Sequence, residues 1–158
     1  MLVENIMSRD VHCCRADDTL AHAAELMWRH DCGALPVCSR GDGQQLVGII
    51  TDRDICMHAL FGGKSLAELS VGGAMSKSVH SLHPSDSLAQ AERVMRDSRV
   101  RRLPVIDHDG GLLGMLSLAD LAREAARERT QPRKEINEND VGHTLAAICT
   151  APRRSLAA

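Results

Sequence analysis

Two short stretches of this sequence set a hydroxyl and a carboxylate three residues apart: Thr51 with Asp54, and Ser117 with Asp120. Each closes the same frame, Gly48-Ile49-Ile50-Thr51-Asp52-Arg53-Asp54 and Gly114-Met115-Leu116-Ser117-Leu118-Ala119-Asp120. In both, an apolar run gives way to helix-forming residues, so the hydroxyl falls at a strand-to-helix corner. A hydroxyl beside the free N–H groups of a helix N-terminus suits a phosphate. A carboxylate one turn further on faces the same side and accepts two hydrogen bonds, as from the paired hydroxyls of a ribose. The glycine lets its strand approach a ligand or another backbone closely. Arg53, and the pair Arg101-Arg102, are candidate cations for phosphate. The plainer alternative is that Thr51 and Ser117 are helix N-caps, with Asp54 and Asp120 as first-turn acids.

The two stretches are not equivalent. Arg53 aligns with Ala119, whereas Arg101-Arg102 align with Gly33-Ala34. One strong site is therefore expected over two equal ones. Other chemistry finds little footing. There is no Gly-rich phosphate loop with a lysine, no nucleophile elbow and no HExxH, so the chain is not expected to be an enzyme. The six cysteines, at 13, 14, 32, 38, 56 and 149, form no CxxC pair, and no metal site is read. Cys13 or Cys14 ends one expected strand and Cys38 the next. If those strands are neighbours, one pair comes within disulfide reach. Idle buried thiols, a redox-sensitive pair and metal binding all remain open for them.

The elements that position these residues come in duplicate. Shifted by 68 residues, positions 3–37 lie on 71–105 with 13 identities, far above chance. Each copy reads as a strand (Val11–Cys14 or Val79–Leu82) and then a polar capping pair (Asp17-Asp18 or Ser85-Asp86). A helix follows with an apolar stripe at Leu20, Ala23 and Met27, or Leu88, Ala91 and Met95. Next come a Leu-Pro-Val strand, a turn at Gly41-Asp42-Gly43 or Asp109-Gly110-Gly111, a further strand and a final helix. The expected fold class is α+β: two βαββα units related by a pseudo-twofold and packed through their sheets, because one such unit is marginal alone. The expected boundaries are 1–61 and 71–127 for the units and 62–70 for a linker. A tail over 128–158 carries a short helix at 140–149 and a fraying end at 151–158. Trp28 lies off the apolar stripe and reads as partly exposed or at a subunit contact.

Met-Ser before the first strand, a buried Leu-Pro-Val strand and a closing Gly-x-x-(Thr/Ser)-x-x-Asp, all present twice over residues 3 to about 126, resemble the CBS domain. A tandem pair of CBS domains is called a Bateman module. Stand-alone pairs of the mycobacterial hypoxic response type are the nearer likeness, with cysteines placed as Cys13 or Cys14, Cys38 and Cys149 are here. The resemblance implies a non-catalytic regulatory module that binds an adenosine-containing nucleotide (AMP, ADP, ATP, NAD or S-adenosylmethionine) in the cleft between the units. It requires no cofactor. It implies that adenine slots near Pro36 or Pro104, with Thr51, Arg53, Asp54, Arg101, Arg102, Ser117 and Asp120 holding ribose and phosphate. A homodimer and a separate effector protein are the expected partners. The alternative function is a ligand-free structural or redox-responsive stress protein acting through a Cys13/Cys14–Cys38 pair or its dimer surface.

Bulk composition narrows the field. The net charge is −2, and the chain holds one Trp, one Phe and no Tyr. That gives neither an electrostatic drive nor stacking platforms for nucleic acid. No stretch is long and apolar enough to span a membrane, and no basic-then-apolar leader opens the sequence. The expected compartment is the cytoplasm, and the expected core is aliphatic.

Overall fold

In the computed structural model, which describes residues 1–41 and 44–150, the helices are α1 (Leu20–Arg29), α2 (Asp52–Gly62), α3 (Val71–Ala74), α4 (Leu88–Ser98), α5 (Leu118–Arg127) and α6 (Glu138–Cys149). The strands are β1 (Ala34–Cys38), β2 (Leu46–Thr51), β3 (Arg102–Ile106) and β4 (Leu112–Ser117). They form two antiparallel hairpins, β1–β2 and β3–β4. The fold is thus a mixed α and β one with a small sheet in each repeat. The expected Gly41-Asp42-Gly43 turn falls partly, and the fraying end at 151–158 wholly, outside the described residues.

The first strand of each repeat is shorter than its sequence suggests. It survives as one parallel bridge, Cys14 with Val37 in one repeat and Leu82 with Val105 in the other. The Cys14 N–H donates to the Pro36 carbonyl (3.1 Å) and the Leu82 N–H to the Pro104 carbonyl (2.9 Å). Proline has no N–H to return, so the ladder cannot continue as a regular strand at that point. The helix caps also differ from expectation. Thr19 and Ser87 cap α1 and α4, their hydroxyls accepting from the His22 and Gln90 N–H groups at 3.2 Å. Asp18 and Asp86 are spent in the preceding turns, where they accept from the Arg15 and His83 N–H groups at 2.8 Å. Gly62, expected in the linker, still belongs to α2, which Gly63 ends with φ 61°.

The chain forms two compact units whose membership does not follow repeat order. One comprises residues 9–79 and 106–114; the other takes residues 1–8, 80–105 and the chain from 115 onward. In the former, Ile49 and Ser76 exchange backbone hydrogen bonds at 3.0 and 2.9 Å. In the latter, Ser8 and Met115 do the same at 2.9 Å. Each Met-Ser segment therefore edges the hairpin of the other repeat. The core around the first hairpin is Leu20, Ala23, Met27, Leu35, Val37, Ile50 and Val71. The core around the second is Val3, Leu82, Leu88, Met95, Leu103, Leu116, Leu121 and Ile136. Both are aliphatic, as composition requires.

The tail is not simply solvated. Asn137 caps α6, accepting from the Asn139 and Asp140 N–H groups at 2.9 and 3.1 Å. The helix packs on α4 and α5. Thr144 is fully buried there, donating to Glu92 (3.2 Å) and accepting from Arg96 (3.1 Å). Burial raises the Glu92 carboxyl above its ordinary range, opposed by the Thr144 hydrogen bond.

Candidate functional site

The hydroxyl–carboxylate pairs are fully formed capping boxes. The Thr51 Oγ1 accepts from the Asp54 N–H (3.2 Å), while Asp54 Oδ2 accepts from the Thr51 N–H (2.9 Å) and the Thr51 hydroxyl (2.7 Å). Ser117 and Asp120 repeat this at 3.2, 2.7 and 2.6 Å. The plain N-cap reading therefore holds for all four residues. It does not exhaust them, because one carboxylate oxygen of each aspartate lies outside its box.

Those second oxygens differ. Asp54 Oδ1 makes no hydrogen bond to any described residue, and Asp54 is half-buried. Asp120 is only 8% exposed, and its Oδ1 is taken by the Arg123 guanidinium one turn along α5. A second arginine, Arg127, pairs with buried Glu124 at 2.9 Å. With Asn5 and Ser8 these side chains line a polar pocket of about 340 Å³. Arg123 is the residue that the sequence reading missed. The signal was present as an acid followed by a base three positions on in a helix.

The first hairpin sets the rest of its half-site. Pro36 pairs with Ile49 and Ala34 with Thr51, so these side chains share one face while Ile50 turns to the core. Pro36 is buried and Arg53 exposed. The first N–H of α2, on Asp52, donates to the Gly33 carbonyl at 3.2 Å. In the other repeat the first N–H of α5, on Leu118, donates to the Arg101 carbonyl at 2.9 Å. That bond ties exposed Arg101 to the α5 N-terminus, next to Arg102 at the start of β3. Pro104 is buried within β3. Pro36, Thr51, Arg53 and Asp54 thus belong to one unit, and Arg101, Arg102, Pro104, Ser117 and Asp120 to the other.

Gly48 has a definite task. A Cβ there would lie 3.0 Å from the Ser76 carbonyl oxygen and 2.6 Å from the Met75 sulfur. The close approach is therefore to backbone.

Cys13, Cys14 and Cys38 come together. The Cys38 N–H donates to the Cys14 carbonyl (2.9 Å), and the Cys13 thiol lies near enough to add to the upward shift of Cys38. Burial first, then the neighbouring thiols, push Cys38 up to about 12. Burial and then Asp18 push Cys14 up to about 12. Both are protonated, poor nucleophiles at neutral pH. An aromatic disulfide reagent at pH 8 is expected to modify exposed Cys56 and Cys149 promptly, and Cys14 and Cys38 only as the fold opens. Equal rates would contradict this. The raised values also fix a sign. A thiol that titrates near 9 unfolded and near 12 folded stabilises the fold below pH 9. That contribution falls by about 1 kcal/mol per pH unit for each thiol as pH rises from 9 toward 12. Alkaline melting curves measure it. Among the described residues, no group of three or more His, Cys, Asp or Glu is placed to hold a metal ion, and no helix is long and apolar enough to cross a membrane.

Comparison with known proteins gives a consistent result. The family model of the CBS domain matches twice, over residues 3–60 and 70–127. Hypoxic response protein 1 of Mycobacterium tuberculosis is 37% identical over 119 residues, covering 75% of this chain and 81% of its own length. A crystal structure of hypoxic response protein I with two coordinated zinc ions has a TM-score of 0.70 at 34% identity, covering 78% of this chain and 98% of that one. The crystal structure of CBSX2 in complex with AMP has a TM-score of 0.70 at 26% identity, covering 81% and 98%. Some relatives are longer: the chain spans 61% of a mitochondrial CBS domain-containing protein of Arabidopsis thaliana.

Proposed function

The chain belongs to the CBS domain family, carrying the domain twice, and from that premise we propose that it is a non-catalytic regulatory module that binds an adenosine-containing nucleotide of the AMP, ADP, ATP or NAD class. The observation that carries this reading is the Thr51–Asp54 corner. Its capping box consumes one carboxylate oxygen and leaves Oδ1 to accept from ribose hydroxyls, within the first turn of α2. A structural relative that binds AMP supports the ligand class. Thr51 and Arg53 take the phosphate, and Pro36 with Ile49 offers an apolar face to the base. Ser117, Asp120, Arg101, Arg102 and Pro104 form the second half-site, weaker because Arg123 already occupies Asp120. In this reading the protein acts in the cytoplasm as a homodimer and passes occupancy to a separate effector protein. A ligand does so only if it binds two arrangements of the module with different affinity.

Thermal unfolding with AMP tests the proposal. At 100 times its Kd, a ligand adds about 2.7 kcal/mol, which raises the Tm by roughly 5–10 °C in a chain of this size. Absence of a shift with AMP, ADP, ATP, NAD and S-adenosylmethionine would overturn it. The other reading, a structural or thiol-redox protein working through Cys13 or Cys14 and Cys38, is favoured by their adjacency. It is opposed by the protonated state in which burial holds Cys14 and Cys38.

A further inference from the structure

The two repeats end their first long helices in the same way and then differ in charge. Helices α1 and α4 each give way to a residue in the left-handed conformation, Asp31 (φ 48°) and Arg99 (φ 54°). The next N–H, on Cys32 or Val100, reaches back to the Met27 or Met95 carbonyl at 3.0 or 3.1 Å. The backbone thus holds residues 31 and 99 at equivalent places, with opposite signs. The contrast continues around them. Under the 68-residue shift Trp28 corresponds to Arg96 and Gly33 to Arg101. Asp52, next to Thr51, corresponds to Leu118, next to Ser117. The second repeat also balances its charge internally, since Arg96 and buried Glu92 both hold Thr144 of α6.

In the first repeat the end of α1 and the start of α2 enclose a cavity of about 360 Å³. Buried Met27 and Ile55 wall it, with half-buried Ala24 and Cys32. The exposed side chains on it are Trp28, Asp31 and Asp52. Trp28 is 88% exposed, in a protein whose cores are aliphatic. Asp52 Oδ1 accepts from the Arg53 N–H at 2.7 Å. Among the described residues, neither Asp31 nor Asp52 pairs with a cation. One surface therefore combines an indole, two carboxylates without a counter-charge and an apolar wall. Its size falls within the range of about 300–1,000 Å³ common to small-molecule sites.

We infer that this cavity binds a small organic cation, an ammonium carried on an aliphatic body. Each part of the wall selects that chemistry. The face of an indole attracts a cation more strongly than any other aromatic side chain. Asp31 and Asp52 supply negative charge and accept the N–H donors of an ammonium. Met27 and Ile55 take its methylenes out of water. A bare metal ion does not fit the same wall. Magnesium and calcium ask for a shell of about six or more oxygens, and most of this lining is carbon. Neither Thr51 nor Asp54 lines the cavity, so the inference goes beyond the nucleotide reading and does not rest on it.

Titration of the full chain with n-hexylammonium chloride, at constant ionic strength and without nucleotide, tests the site. The single tryptophan reports occupancy. The expected result is a saturable change in Trp28 emission with a Kd on the order of 1 mM, the scale open to a ligand of so few atoms. The neutral isostere n-hexanol binds at least about tenfold more weakly, because it makes neither the indole nor the carboxylate contact. Hexanoate does not bind. Asp31→Asn and Asp52→Asn each weaken hexylammonium by about three- to fivefold and leave hexanol as it was, which a loss of fold would not do. Trp28→Leu, followed by proton NMR of the ligand, weakens it by about threefold. Glu25→Gln, at an exposed acid of α1 outside the cavity, changes nothing. Hexanol binding as tightly as hexylammonium overturns the proposal, for the cavity is then merely apolar. Full displacement of hexylammonium by calcium chloride at matched ionic strength overturns it too, as does an indole emission that stays fixed throughout. None of these outcomes bears on the AMP-dependent rise in Tm expected above.

Discussion

Gly48→Val lowers the Tm by about 10 °C, the largest loss expected from any single substitution considered. The first added carbon meets the Ser76 carbonyl oxygen at 3.0 Å, where no rotamer gives relief. The Met75 sulfur, at 2.6 Å, can swing away, but the backbone cannot. Relief requires β2 to part from the Met75-Ser76 segment, breaking the two hydrogen bonds between Ile49 and Ser76. Overpacking costs about 1–3 kcal/mol, and unpairing the backbone adds about 1 kcal/mol more. A chain of this length loses roughly 2–4 °C per kcal/mol. Calorimetry or circular dichroism melting decides the matter, and a Tm within 2–3 °C of the parent would show that the approach is looser than the geometry indicates. Thr51 hangs three residues downstream, so the same variant is expected to bind AMP poorly even where folded.

The second large effect separates the two half-sites. Asp54→Ala weakens AMP binding by about a hundredfold, because it removes the carboxylate oxygen left open at that corner, and hydrogen bonds to a charged group are worth about 1.5–3 kcal/mol. Asp54→Asn keeps an oxygen for the capping box while removing the charge, so its loss of affinity isolates binding from helix stability. Asp120→Ala costs affinity less than about tenfold, because Asp120 is already paired with Arg123 and its removal frees a guanidinium that is 72% exposed. Titration calorimetry gives both Kd and stoichiometry. One AMP per chain, lost with Asp54 and kept without Asp120, is expected. Two equal sites, or the reverse order of the variants, would refute the asymmetry.

Most of the architecture was legible because duplication writes each element twice. The apolar stripe of α1 recurs in α4, and Leu-Pro-Val marks both inner strands. The strand-to-helix corners were placed to the residue, since Thr51 and Ser117 carry both a cap and a change of periodicity. Four features were not legible. The first strands shrank to single bridges because the facing position is a proline. The capping role passed from Asp17-Asp18 and Ser85-Asp86 to Thr19 and Ser87, because a turn claimed the acids first. The use of the second carboxylate oxygen depends on rotamers that spacing alone does not set: Arg123 reaches Asp120, while Met57 stands at the matching place beside Asp54. The buried side of the tail was hidden for a different reason. There the fully buried Thr144 is satisfied by Glu92 and Arg96, more than forty positions away in the sequence.

The exchanged Met-Ser segments bear on how the chain is made. Residues 1–8 leave the ribosome first, yet their partners, from His80 to Asp86 and at Met115, are translated only after half of the chain or more. At ordinary rates of about 5–20 residues per second, that leaves them waiting for roughly 5–20 s. The unit built on residues 9–79 likewise lacks its 106–114 piece until late in synthesis. Neither repeat excised at its own ends carries a whole unit, so a gene fragment encoding one copy is expected to yield a protein prone to aggregation.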